Sequence, residues 1–90
     1  METTLFPLGR TVITQNALAT LQPEDVKLCL DRHIAGDWGK LCDEDRKENE
    51  RALRQGHRLF SRYLDRSGTA FYIITEHDRS VTTILLPEDY

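Results

Sequence analysis

Apolar residues in the first half of the chain recur with a helical period, and after Gly56 they recur every second residue. That change separates a helical part from a strand part. Val26, Cys29, Leu30, His33 and Ile34 keep the i, i+3, i+4, i+7, i+8 spacing of one buried helix face. Pro23 suits the first turn of that helix, with Glu24 and Asp25 against its N-terminal dipole, and Gly36 ends it. Ahead of it, Thr14 or Asn16 caps a short helix over Ala17, Leu18 and Leu21. A third helix runs from Asp43 to about Gln55, acidic at its start and basic near its end, with a thin apolar stripe at Ala52 and Leu53.

From His57 to Asp65 the alternation predicts a strand, with Leu59, Ser61 and Tyr63 on one face and Phe60, Arg62 and Leu64 on the other. Asp65–Gly68 is a turn, and Ala70–Thr75 is the next strand. That strand is apolar on both faces, as expected of a central one. Glu76–Ser80 turns the chain again, and Val81–Leu86 is the last strand before Pro87 ends the ladder. The β-branched run near the start predicts a further short strand over 10–13. The expected fold is α+β: two to three N-terminal helices packed on a C-terminal three-stranded antiparallel meander, with that N-terminal strand as a candidate addition to the sheet.

Length fits this picture. Ninety residues make a single domain, 1–90, which buries only about 60–65% of its unfolded surface. With helices on one face only, Tyr72, Ile74, Ile84 and Leu86 are assigned to the uncovered face, which would favour a homodimer. The net charge of −3 argues against a nucleic-acid partner, because phosphate neutralisation needs a basic excess. The stretch Met1–Leu8 has no basic region followed by an apolar run, and no segment has the roughly 18 apolar residues that cross a bilayer. Two cysteines are too few for a secreted disulfide scaffold. A reduced cytoplasmic protein with no membrane association is the expectation.

Candidate chemistry is sparse. No Gly-rich phosphate loop is present, Cys29 and Cys42 have no tight spacing to a histidine, and His33, His57 and His77 lie far apart, so no metal or cofactor is expected. Trp38 sits between two glycines. It reads either as a plug where two helices meet or as an aromatic anchor for a partner. In Glu76–Ser80, Asp78 and Ser80 can lock the turn through backbone amides. Alternatively, Glu76, Asp78 and Arg79 form a displayed recognition edge beside the outer strand.

In order along the chain stand Gly36-Asp37-Trp38-Gly39, Glu44-Asp45, Asn49-Glu50-Arg51-Ala52-Leu53, Gly56-His57-Arg58-Leu59-Phe60-Ser61-Arg62-Tyr63, and a closing run from Ile74 to Tyr90. This set resembles a family of small bacterial proteins carried on plasmids, phages and integrated elements. The likeness covers nearly the whole chain and implies gene context rather than a reaction. Family members usually carry Gly where this chain has His57 and Ala where it has His77, which counts against both as catalytic groups. The helix-then-meander order also loosely resembles toxin ribonucleases of the RelE and ParE type. That likeness implies a site built from Arg58, Arg62, Tyr63, His77 and Arg79, holding phosphate and moving protons. The placement of Arg62 and Tyr63 on opposite strand faces weakens it.

The favoured reading is a non-enzymatic protein-interaction module of mobile-element origin, an inhibitor or modulator of a host defence or replication system. Its expected binding residues are Trp38, Glu76, Asp78 and Arg79. The toxin ribonuclease is the alternative.

Overall fold

The computed structural model describes residues 4–90; Met1–Thr3, part of the N-terminal stretch considered above, lie outside the described residues. The elements run β1 (Arg10–Ile13), α1 (Gln15–Thr20), α2 (Pro23–Ile34), α3 (Asp43–Gln55), β2 (Leu59–Leu64), β3 (Ala70–Thr75), β4 (Val81–Leu85) and a 3₁₀ turn, Pro87–Asp89. The α+β expectation holds. Thr14 caps α1 by accepting a hydrogen bond from the Ala17 amide at 3.2 Å. Gln22 and Cys42, at the starts of α2 and α3, make no side-chain cap. There, Pro23 with Glu24 and Asp25, and Asp43 with Glu44 and Asp45, suit the N-terminal dipole instead.

The sheet has four strands in the order β1-β4-β3-β2. β2, β3 and β4 form the antiparallel meander, and β1 adds to β4 in parallel. The position of β1 depends on Gly9, at φ +66°, where a Cβ would collide with the carbonyl oxygens of Arg79 and Ser80. Only a residue without a side chain lets β1 enter beside the 76–80 turn.

Register fixes the two faces. Ile84 lies opposite Ile73, and Leu59, Ser61 and Tyr63 share that inner face with Phe71 and Thr75. α1 and α2 cover it through Ala17, Leu21 and Cys29. A second cluster joins Phe6, Trp38, Ala52 and Leu59 where α3 meets the N-terminal stretch.

Three expectations are corrected. Ile84 and Leu86 are buried in the inner core, so only Tyr72 and Ile74 of the four proposed dimer residues lie on the outer face. β4 is not an outer strand, because β1 occupies its far side. Trp38 is 2% exposed and is a core residue, not a surface anchor.

β2 is an edge, but the outward backbone groups of Phe60 and Arg62 are occupied. The Asn49 side-chain amide donates to the Phe60 carbonyl and accepts from the Phe60 amide at 3.1 Å. The Arg62 amide donates to the Trp38 carbonyl at 3.1 Å, and the Lys40 amide donates to the Arg62 carbonyl at 2.7 Å. Gly39 permits that approach, since a Cβ there would strike the Arg62 carbonyl and the Tyr63 ring. Blocked edges of this kind resist further strand pairing.

Candidate functional site

The 76–80 turn is held from within. Asp78 Oδ1 accepts hydrogen bonds from the Ser80 amide at 3.0 Å and the Ser80 hydroxyl at 2.6 Å. These bonds hold the Asp78 carboxyl below its ordinary pKa. Arg79 takes a left-handed backbone at φ 61°. Its guanidinium does not face solvent as a recognition group. It donates to the carbonyls of His57 at 2.6 Å, Glu76 at 3.1 Å and Ala52 at 3.1 Å. It thus binds the carbonyl end of α3 to the last hairpin, where a cation complements the helix dipole. Of the expected recognition edge, Asp78 is fully displayed while Glu76 and Arg79 are half-buried.

The five residues of the ribonuclease alternative are not brought together. Arg62 pairs across the sheet with Tyr72 on the outer face, while Tyr63 pairs with Phe71 on the inner face. Tyr63 is buried and donates its hydroxyl proton to the Asp37 carbonyl at 2.6 Å, and burial pushes its pKa upward. Arg79 is committed to α3, and His77 stands exposed at the turn. Arg58 donates to the Tyr90 hydroxyl at 2.6 Å.

A relay-like chain lies in the core, between residues that no sequence motif groups. His33, at 0% exposure, has Nδ1 2.6 Å from Ser61 Oγ and Nε2 2.9 Å from Thr75 Oγ1. Thr75 Oγ1 is 2.7 Å from Thr82 Oγ1, which donates to the Leu8 carbonyl at 2.7 Å. A carbonyl only accepts, so every direction follows from that end. Thr82 donates to Leu8, Thr75 donates to Thr82, and Nε2–H donates to Thr75. Nδ1 is left as acceptor for the Ser61 hydroxyl. A serine hydroxyl on a neutral imidazole has the form of an activated nucleophile. Here Ser61, His33, Thr75 and Thr82 are all fully buried, so the chain is a satisfied core network. Burial lowers the His33 pKa to about 3, with the Arg79 charge contributing. The sequence signal was available: Ser61, Thr75 and Thr82 alternate onto the same face as apolar core residues.

The outer face of the sheet is different. Among the described residues none of α1–α3 covers it; it carries Phe60, Arg62 and Leu64 of β2, Tyr72 and Ile74 of β3, and Thr83 and Leu85 of β4, of which Ile74 and Leu85 are buried. None of the four strands contains an Asp or Glu. Phe60 and Tyr72 have ring centroids 4.7 Å apart, and Leu64 is exposed. The 3₁₀ turn packs on β3 at this face. Beside it, a cleft of about 280 Å³ opens between α3 and the sheet, lined by Asp45, Glu48, Arg58, Phe60 and Tyr90 among others. Aromatic, aliphatic and guanidinium groups in one open patch suit a docking surface.

Among the described residues, no group of three or more His, Cys, Asp or Glu is placed to hold a metal ion, and no helix is long and apolar enough to cross a membrane. Comparison with protein-family models, with curated proteins and with solved structures gives no match.

Proposed function

We propose that this chain is a non-enzymatic protein-interaction module that docks a protein partner through the outer face of its sheet. One observation carries the reading: the groups with catalytic potential are committed to structure, while an aromatic and arginine-bearing face stands without a helix over it. Ser61 and His33 serve the core, Arg79 serves the end of α3, and Tyr63 serves the 37–40 loop. Phe60 and Tyr72 pack on each other and on the Tyr90 ring, and Leu64 is exposed. Tyr, Phe and Arg are the residue types from which interface centres are built.

The cytoplasmic setting, the mobile-element origin and the role as inhibitor or modulator of a defence or replication system are part of this proposal, and the origin rests on the sequence resemblance alone. The same face would serve a homodimer through Tyr72; Ile74, the other dimer residue on this face, is buried. The test is affinity capture from bacterial lysate with the wild-type chain, a Leu64→Glu variant and an Asp78→Ala variant. Partner recovery should fall at least tenfold for Leu64→Glu and persist for Asp78→Ala. Loss with Asp78→Ala and retention with Leu64→Glu would move the site back to the turn.

A further inference from the structure

Ile74 and Leu85 lie on a face that carries no helix, yet they are 4% and 6% exposed. The segment after β4 packs on this face. Leu86 leads into the 3₁₀ turn, which crosses the outer face and is fastened at two points. Asp89 is the first. Its carboxylate accepts from Thr14 Oγ1 at 2.6 Å, Asn16 Nδ2 at 2.7 Å and the Leu86 amide at 3.1 Å. Tyr90 is the second. Its hydroxyl accepts from Arg58 at 2.6 Å, and its ring lies 6.2 Å from Phe60 and 5.9 Å from Tyr72. The Arg58 guanidinium also stands 5.8 Å from the Tyr90 ring centre. Tyr90 remains 67% exposed, so the ring rests on the platform rather than being enclosed by it.

We infer that the outer face is a receptor for acidic segments carrying an aromatic residue, and that Pro87–Tyr90 is its resident occupant, displaced when a partner's segment docks. This rests on the outer face being the docking surface. Two features identify the occupant's chemistry. The first is what already sits there: a proline turn with two carboxylates and a tyrosine ring, Pro87-Glu88-Asp89-Tyr90. The second is charge. The strands offer this face Arg10 and Arg62, Arg58 adds a third cation, and no strand contributes a carboxylate. Among the described residues, the side chains of Arg10 and Arg62 make no hydrogen bond or ion pair, so two cations stand ready for an acidic ligand.

A segment joined to its own receptor competes at an effective concentration on the order of millimolar. A partner making only the resident contacts would therefore lose to it. A successful one must add contacts, and the guanidinium groups of Arg62 and Arg10 supply them.

The probe is a labelled peptide with the sequence of residues 85–90, Leu-Leu-Pro-Glu-Asp-Tyr, titrated by fluorescence anisotropy. Targets are the full wild-type chain, an Asp89→Ala/Tyr90→Ala variant, and that variant with Arg58→Ala added. The unlatched variant should bind at least tenfold tighter than wild type, Arg58→Ala should reverse most of the gain, and a peptide with Tyr replaced by Ala should not bind. Amide NMR spectra check that the variants remain folded. Tyr90→Ala alone, which keeps the Asp89 fastening, repeats the comparison if the double variant unfolds. Equal affinity for wild type and unlatched chain, or binding to neither, overturns the inference. So does binding of a twelve-residue oligothymidylate in place of the peptide, which would make the face a nucleic-acid platform. Face-dependent lysate capture without peptide binding would sink this inference and leave the docking face standing.

Discussion

Replacing Arg79 separates two opposed contributions at a single residue. Its left-handed backbone costs roughly 1–2 kcal/mol for any residue with a Cβ. Against this stand charge-assisted hydrogen bonds to the carbonyls of His57, Glu76 and Ala52, all within 3.1 Å. Arg79 is half-buried, so water recovers part of what the guanidinium supplied. The net loss on Arg79→Ala should be about 2–3 kcal/mol, combining the lost bonds with a cation removed from the end of α3. Alanine keeps the backbone strain, whereas Arg79→Gly loses the same bonds and relieves it. The glycine variant should therefore be about 1 kcal/mol more stable than the alanine variant. Arg79→Lys should fall between wild type and alanine, because an ammonium cannot span carbonyls as a guanidinium fork does. Urea unfolding of the four proteins measures this series, and each kcal/mol is worth about 4–8 °C in Tm for a domain of this size. An alanine variant within about 0.5 kcal/mol of wild type, or no gap between alanine and glycine, would refute a structural role for Arg79.

Three other outcomes follow from the same geometry. His33 has its pKa lowered from 6.5 to about 3, so the unfolded chain binds the extra proton between those values and stability falls as pH drops through that window. Urea unfolding at pH 7 and pH 5 should differ by about 2 kcal/mol, before the carboxylates titrate, and an NMR titration of His33 near 6.5 would contradict this. Gly9→Ala should destabilise by about 2–4 kcal/mol through left-handed strain and collision with the Arg79 and Ser80 carbonyls, with amide exchange rising first in β1; unchanged protection there would disprove the close approach. Asn49→Ala should cost about 2–3 kcal/mol by unpairing both backbone groups of Phe60, and should raise aggregation at the freed β2 edge as read by light scattering, whereas a fully soluble variant of wild-type stability would count against that role.

Much of the fold was legible because local signals agreed with it. The change of period at Gly56, the capping by Thr14, the acidic start of α3 and the proline after β4 each have a local physical cause, and each stands in the structure. What failed was long-range. Alternation assigns residues to faces within one strand but does not set the register between strands, so the expectation that Ile84 shares a face with Tyr72 fails: Ile84 lies opposite Ile73. Nothing local indicated that β1 would cover β4. The signal was Gly9, which sequence alone presents as an ordinary glycine. A place in a turn predicts display for Arg79, because turn residues are usually exposed. Its reach to Ala52 depends on α3 ending beside the hairpin, a tertiary fact. The fastening of Asp89 to Thr14 and Asn16 joins residues more than seventy positions apart and has no sequence pattern.

Under the proposed function, binding resides on the outer sheet face and not at the 76–80 turn. Quantitative capture from bacterial lysate, comparing Leu64→Glu with Asp78→Ala against wild type, tests it most directly. Recovery of the same partner with Asp78→Ala, and its loss with a folded Leu64→Glu chain, is the predicted result. Equal recovery with all three proteins, or loss confined to Asp78→Ala, would contradict it.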